Sequence, residues 1–343
     1  MYQFGFKKRH STTLGCSVLK HVIDYYRKKG SYVFVSLLDL SKAFDNVDHR
    51  LLFKKLLCLK LPKNYINLLA WWYANQLVNI KWKSVTTDSF LMKNGTRQGS
   101  ILSPYLFSVY MREVSISVTS SGVGCHIGNM LCNILLYADD IVLLSPAWRA
   151  QQTLLNICCD TVAPLSMKFN VSKSVTIIFP PLKTSCRVNF SFPNFELDGH
   201  NMCFVNKCKY LGHFLSTLED DNVDIMNQRC LLYARTNFLI RKFANCSTEV
   251  KICLFKTYCV NFYGVSLWRC YNTTVLKKFE AAYIKCNKIF FGYDRRHHVA
   301  SVFIDLRLPT VSTILHNAVH KFHESVHDHI NILVQYVHLV CTV

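Results

Sequence analysis

Three aspartates lie where charge is least expected. Asp39 ends the apolar run Tyr32–Leu38, and Asp139 and Asp140 sit between two further apolar stretches, Asn133–Leu136 and Ile141–Leu144. A single acid near a turn is ordinarily a solvated surface residue. An acidic pair inside an apolar hairpin is different, because a buried charge without a partner is costly. Carboxylates carried to the strand ends of one sheet suit phosphoryl transfer with two Mg²⁺ ions, or Mn²⁺ in their place. Such ions take one or two protein carboxylates and complete their shells with phosphates and water. One ion would acidify the attacking hydroxyl, and the other would hold the triphosphate and its leaving group. Without a cation the clustered acids repel, and one is pushed toward protonation.

Those acids need a sheet. The run ending on Asp39 is short and rich in β-branched and aromatic residues, as a buried strand is. Tyr137–Asp140 has the shape of a hairpin turn. Leu14, Val18, Val22 and Tyr25 recur at helical spacing over 14–29, with Ser11 or Thr12 as cap and Gly30 as stop. Helical patterns follow over 47–59 and 64–74, where Trp71 and Trp72 are expected to pack as core or against the sheet. Residues 78–93 alternate like paired strands, and a loop at 94–100 leads into a helix over 101–118. A further helix covers 150–163, with short strands to Leu215. Beyond Glu219 the pattern turns to long helices, so the expected division is 1–216 and 217–343.

Composition narrows the setting. Half of the 343 residues are hydrophobic, enough for a sizeable core. The formal charge is +19, of which +14 falls in residues 1–216, with basic clusters at Lys7–Arg9 and Arg27–Lys29. That excess suits a polyanionic partner bound through its phosphates, or serves solubility. Sixteen cysteines without a CxxC pair or an N-terminal signal pattern imply reduced thiols in an intracellular protein, cytoplasmic or nuclear and not secreted. No apolar run is long enough for a membrane span. His297 and His298 beside Arg295 and Arg296 have the look of a solvated basic patch.

The ordered motifs resemble reverse transcriptases of the LINE-like, non-LTR retrotransposon family. LLDLSKAFDNVDH (Leu37–His49) is similar to the family's motif A, NGTRQGSILSPYLF (Asn94–Phe107) to motif B and LLYADDIVLL (Leu135–Leu144) to motif C. LSMKFNVSKS (Leu165–Ser174) resembles motif D, KYLGHFLS (Lys209–Ser216) motif E, and QFGFKKRHSTT (Gln3–Thr13) the segment upstream of motif A. The resemblance implies an α+β right-hand polymerase: partial fingers and an antiparallel-sheet palm over 1–216, and a helical, thumb-like region over 217–343. It implies an RNA template, a DNA primer and deoxynucleoside triphosphates as partners.

Roles carried over by that resemblance fall on particular residues. Asp39 and Asp139 become the principal metal ligands, Asp140 the third acid, and the Leu40 carbonyl completes a metal shell. Phe44 becomes a steric gate against a ribose 2′-hydroxyl, with a core aromatic as the plainer alternative. Gln98 and Gly99 would lie against the incoming nucleotide and template. Lys173 would serve pyrophosphate as a general acid, or be an exposed solvated lysine. Tyr210, Leu211 and Gly212 would grip the primer. The family normally has a fingers segment upstream whose basic residue holds the triphosphate; without one, the chain alone is expected to be a poor polymerase. An RNA-templated RNA polymerase and a non-catalytic nucleic-acid-binding remnant are the competing readings. Phe44 and the motif B string weigh against the first, and the intact acids against the second.

Overall fold

The computed structural model describes residues 2–189, 191–218 and 220–342. The chain divides into two compact units, Met1–Val205 with Asn331–Val343, and Asn206–Ile330.

The first unit is built on a five-stranded sheet. Its strands are β1 (Val33–Leu38), β2 (Ile134–Tyr137), β3 (Asp140–Ser145), β4 (Val175–Phe179) and β5 (Cys203–Phe204), in the order β5-β4-β1-β3-β2. Neighbours run antiparallel except for the parallel β4–β5 pair, which the expected antiparallel palm did not include. Strand β1 is central and fully paired, so its valines and Phe34 are buried on both faces. Its one buried hydroxyl is satisfied: Ser36 Oγ lies 2.8 Å from Thr176 Oγ1 and accepts from Gln151 Nε2 at 2.8 Å.

Helices cover the sheet. α1 (Thr12–Lys28) begins as its capping residue predicts, Ser11 Oγ accepting the Leu14 N–H at 3.2 Å, and the chain turns away at Gly30. Arg27 is not part of a surface cluster; it is buried and donates from Nε to the Pro180 carbonyl at 2.8 Å. α2 (His49–Cys58) is capped by Asp48, and α3 (Lys63–Ala74) follows Pro62. The helix expected over 101–118 is two, α4 (Ser103–Tyr110) and α5 (Arg112–Ser120). The break is at Met111, whose carbonyl takes the Val114 N–H only three residues on. α6 (Trp148–Val162) packs on β3.

The second unit opens with a hairpin, β6 (Lys207–Tyr210) and β7 (His213–Ser216), then α7 (Asn222–Phe243), α8 (Thr248–Cys259), α9 (Thr273–Phe291), α10 (Val299–Leu306) and α11 (Val311–His327). Phe255, Phe279, Tyr283 and Phe290 form the centre of its core. The division thus falls at Val205, not near Ser216–Asp221. Among the described residues the hairpin forms a two-stranded sheet of its own, and it is fastened to α7 because buried His213 lies 3.3 Å from both Asp221 and Asp224. The C-terminal helix α12 (Ile332–Thr342) belongs to the first unit and packs on α1. No single helix among the described residues is long and apolar enough to cross a membrane; α10 and α11 reach that length only together, across a 54° bend.

Candidate active site

The register of the sheet brings the acids together. β1 pairs with β3 from Phe34↔Ser145 to Leu38↔Ile141, so the next step along both strands sets Asp39 opposite Asp140. β2 and β3 close on Tyr137↔Asp140, leaving Ala138 and Asp139 as a two-residue turn. All three carboxylates therefore share one end of the sheet. Ala138 holds a left-handed φ of +56°, which a residue with a side chain adopts at a cost of about 1 kcal/mol.

Their electrostatics are unresolved within the protein. None of the three forms an ion pair among the described residues. Asp140 is exposed by surface area, yet crowding by surrounding protein, then the charges of Asp139 and Asp39, push its carboxyl up to about 6. Asp139 is raised as well, first by burial, against a hydrogen bond from its own backbone, and further by Asp39. Both shifts favour the neutral acid, and a dication nearby would reverse them. The donor set is all hard oxygen, as Mg²⁺ requires. Among the described residues no three His, Cys, Asp or Glu side chains converge closely enough to form a metal cluster.

Asp39 is held by its backbone. Its N–H donates to Ser174 Oγ at 3.1 Å and its carbonyl accepts from Asn170 N–H at 2.8 Å. The next residue, buried Leu40, makes an antiparallel bridge with Phe169 in which Ser41 N–H reaches the Lys168 carbonyl at 2.9 Å. In such a narrow pair the bridging residue turns its own carbonyl away from the partner strand. Lys173 is exposed in the turn before Ser174. The sequence singled out that lysine; its buried neighbour Ser174 is the residue that fastens the site.

Phe44 is half-buried in the turn after Asp39, its ring stacked on buried Phe107 at 4.5 Å and 22°. Thr96 N–H donates to the Phe44 carbonyl at 2.7 Å and Gly95 N–H to Val47 at 2.8 Å, docking the 94–100 loop on this turn. Gln98 and Gly99 are exposed at its far side, with Gly99 at φ +84° and open space where a Cβ would stand. In the second unit, Leu211 (φ +45°) and Gly212 (φ +86°) form the β6–β7 turn beside buried Tyr210, and Tyr263 donates its hydroxyl hydrogen to the Leu211 carbonyl.

Sequence reasoning missed Gln3 and Gly5 as individual supports. The segment Tyr2–Phe4 runs beside β2, with Phe4 N–H on the Leu136 carbonyl at 2.7 Å. Gln3 Oε1 accepts from Gly5 N–H at 2.8 Å and from Ala138 N–H at 3.2 Å, gripping the acid-bearing turn. A Cβ on Gly5 would stand 2.6 Å from the Ala138 nitrogen. The glycine was visible in the sequence; the atom it makes room for, far along the chain, was not.

A largely antiparallel sheet with helices packed against it and three acids at one end defines an α+β polymerase fold. Residues 1–215 match the family described as reverse transcriptase (RNA-dependent DNA polymerase), and the chain belongs to that family. It is 23% identical over 349 residues to the RNA-directed DNA polymerase from mobile element jockey of Drosophila funebris, covering 97% of this chain and 36% of that protein. A Pol polyprotein from a type-2 retrotransposable element of Drosophila melanogaster is 28% identical over 175 residues, covering 51% and 16%. The chain spans about a third or less of the length of these relatives. Among solved structures, apo telomerase from Candida tropicalis superposes with a TM-score of 0.47 at 12% identity, over 98% of this chain and 57% of that one.

Proposed function

We propose that the chain is the polymerase core of a non-LTR retrotransposon reverse transcriptase, extending a primer with deoxynucleotides on an RNA template. The observation that carries this reading is the end of the sheet: Asp39, Asp139 and Asp140 brought together there, without an ion pair among the described residues, each of the last two pushed toward protonation by burial and then by neighbouring acids. Asp39 and Asp139, with Asp140 and the Leu40 carbonyl, would hold Mg²⁺, which when bound acidifies the primer hydroxyl and neutralises the triphosphate. In the reaction the primer 3′-oxygen forms a bond to the α-phosphorus, the bond from that phosphorus to the bridging oxygen breaks, and pyrophosphate leaves.

The chain's own residues would do the rest. Ser174 and Asn170 hold Asp39 by its backbone, while Gln3 and Gly5 hold the Ala138–Asp139 turn. Phe44, braced by Phe107, would occupy the place a ribose 2′-hydroxyl needs. Gln98 and Gly99 would face template and nucleotide, Lys173 would approach the pyrophosphate, and Tyr210, Leu211 and Gly212 would position the primer. Residues of the first unit would then serve as palm and partial fingers, and the helices of the second as thumb. Primer extension by the purified chain on a homopolymer RNA–DNA template–primer tests this reading. Mg²⁺-dependent incorporation of deoxynucleotides is expected; incorporation of ribonucleotides alone would reassign it as an RNA-templated RNA polymerase.

A further inference from the structure

Trp71 and Trp72 are not core residues. Both are exposed, Trp71 at 66%, because α3 buries Ile66 and Tyr73 and turns its other faces outward. α3 leads into a β-ribbon over residues 77–91, paired at its base by Leu77–Val78 with Phe90–Leu91 and at its tip by Lys81–Trp82 with Val85–Thr86. Every residue from Asn79 to Leu91 is exposed, and Trp82 at the tip is 76% exposed. A two-stranded hairpin packed on nothing is marginal in water. Short polar bonds stitch this one, among them Ile80 N–H on Thr87 Oγ1 at 3.0 Å and Asn79 Nδ2 on Ser89 Oγ at 2.9 Å. So much exposed aromatic surface marks a binding face.

Charge indicates what it binds. Lys60, Lys63, Lys81, Lys83, Lys93 and Arg97 stand against a single acid between Leu59 and Arg97, Asp88. None of these six cations is ion-paired among the described residues. A face of one sign repels a second copy of itself. Cations interleaved with exposed rings suit a single-stranded polynucleotide, whose phosphates meet the lysines while its bases stack. The ribbon also leads to the site: its return strand runs within four residues into Gly95, whose loop is docked on the turn after Asp39.

We propose that α3 and the 77–91 ribbon form a binding face for single-stranded RNA, with Trp82, Lys81 and Lys83 as its tip. Identifying that strand as the template rests on the polymerase reading; the binding itself does not. The test measures anisotropy of a labelled oligouridylate with the full chain over a salt series. Trp82→Ala is expected to weaken binding about tenfold, as loss of one stacked base does, and Trp82→Phe to retain most of the affinity. Lys81→Glu with Lys83→Glu is expected to weaken it further and to flatten the slope of log affinity against log salt by about 1.4, two phosphates at about 0.7 each. Asp139→Asn, measured alongside, is expected to bind RNA as the wild type does and to incorporate nothing. Wild-type RNA affinity and salt slope in the tip variants would overturn the proposal, whatever Asp139→Asn does. So would Trp82-dependent binding of phosphatidylserine vesicles in place of RNA, or a Trp82-dependent dimer in sedimentation. Normal synthesis by Asp139→Asn would instead remove the polymerase site and leave the RNA-binding result standing.

Discussion

Two hairpin turns carry the residues on which this protein's chemistry would depend, and they treat charge in opposite ways. The Ala138–Asp139 turn presents acids that form no ion pair among the described residues, and its supports, Gln3 and Gly5, meet it at its backbone. The Leu211–Gly212 turn stands on buried charge set among partners, though His213 Nδ1 and Asp224 Oδ1 make no hydrogen bond among the described residues. His213 lies between Asp221 and Asp224; Asp224 also accepts from Trp268 Nε1 at 2.7 Å, and Asp221 from the N–H groups of Arg269 and Cys270. A buried carboxylate with partners around it is costly to remove, because its partners are then left without it. One left among its own kind lowers stability until a cation offsets the repulsion.

Mutating one acid that serves each turn should separate these uses. Asp139→Asn is expected to cut nucleotide incorporation about a thousandfold or more, the scale of a lost metal ligand in a transition state. Its urea midpoint should stay level or rise, because a mutually repelling charge is gone. Near wild-type extension with Mg²⁺ would remove the assignment. Asp224→Ala should do the reverse, lowering unfolding free energy by about 3–5 kcal/mol, since it strands an indole N–H and removes one of the two carboxylates beside a buried histidine. An unchanged midpoint would show that the second turn does not rest on its buried charge.

Smaller changes probe the supports. Gly5→Ala places a methyl group against the Ala138 nitrogen, a main-chain atom that must move. Displacing the turn by a fraction of an ångström is expected to slow incorporation about tenfold or more, with little loss in template–primer affinity. Equal losses in both would mean general unfolding of the edge. Phe44→Ala is expected to relax discrimination against ribonucleotides about tenfold while slowing deoxynucleotide addition less. A folded variant of unchanged selectivity would leave Phe44 only its stacking on Phe107.

Much of this was legible in the residues. α1 starts and stops where Ser11 and Gly30 predict, because capping and left-handed turns are decided by local chemistry. The apolar runs around the three aspartates became the strands expected of them, since strand pattern is local too. Four features escaped. The tryptophans of α3 match a buried pattern and yet face outward, because among the described residues of the first unit nothing buries that side of the helix. Met111 divides one helical pattern into two helices. The hairpin at 207–216 belongs with the helices that follow it, for a reason held in the side chains of His213, Asp221 and Asp224. Lys173 drew notice as a charge, whereas Ser174, small and buried, does the holding.

By itself the sequence determined which segments become strands and helices, that three carboxylates end up at strand termini, and, through ordered motifs, the family. Those properties depend on neighbours a few residues away. Only the tertiary structure decided that Asp39 faces Asp140, that Gln3 and Gly5 clamp a turn 135 residues away, and that α12 returns to α1. Register and long-range packing are selected by the whole buried surface at once: a strand slipped by one residue turns every side chain to the wrong face. That choice is a property of the assembled sheet, not of any stretch of chain.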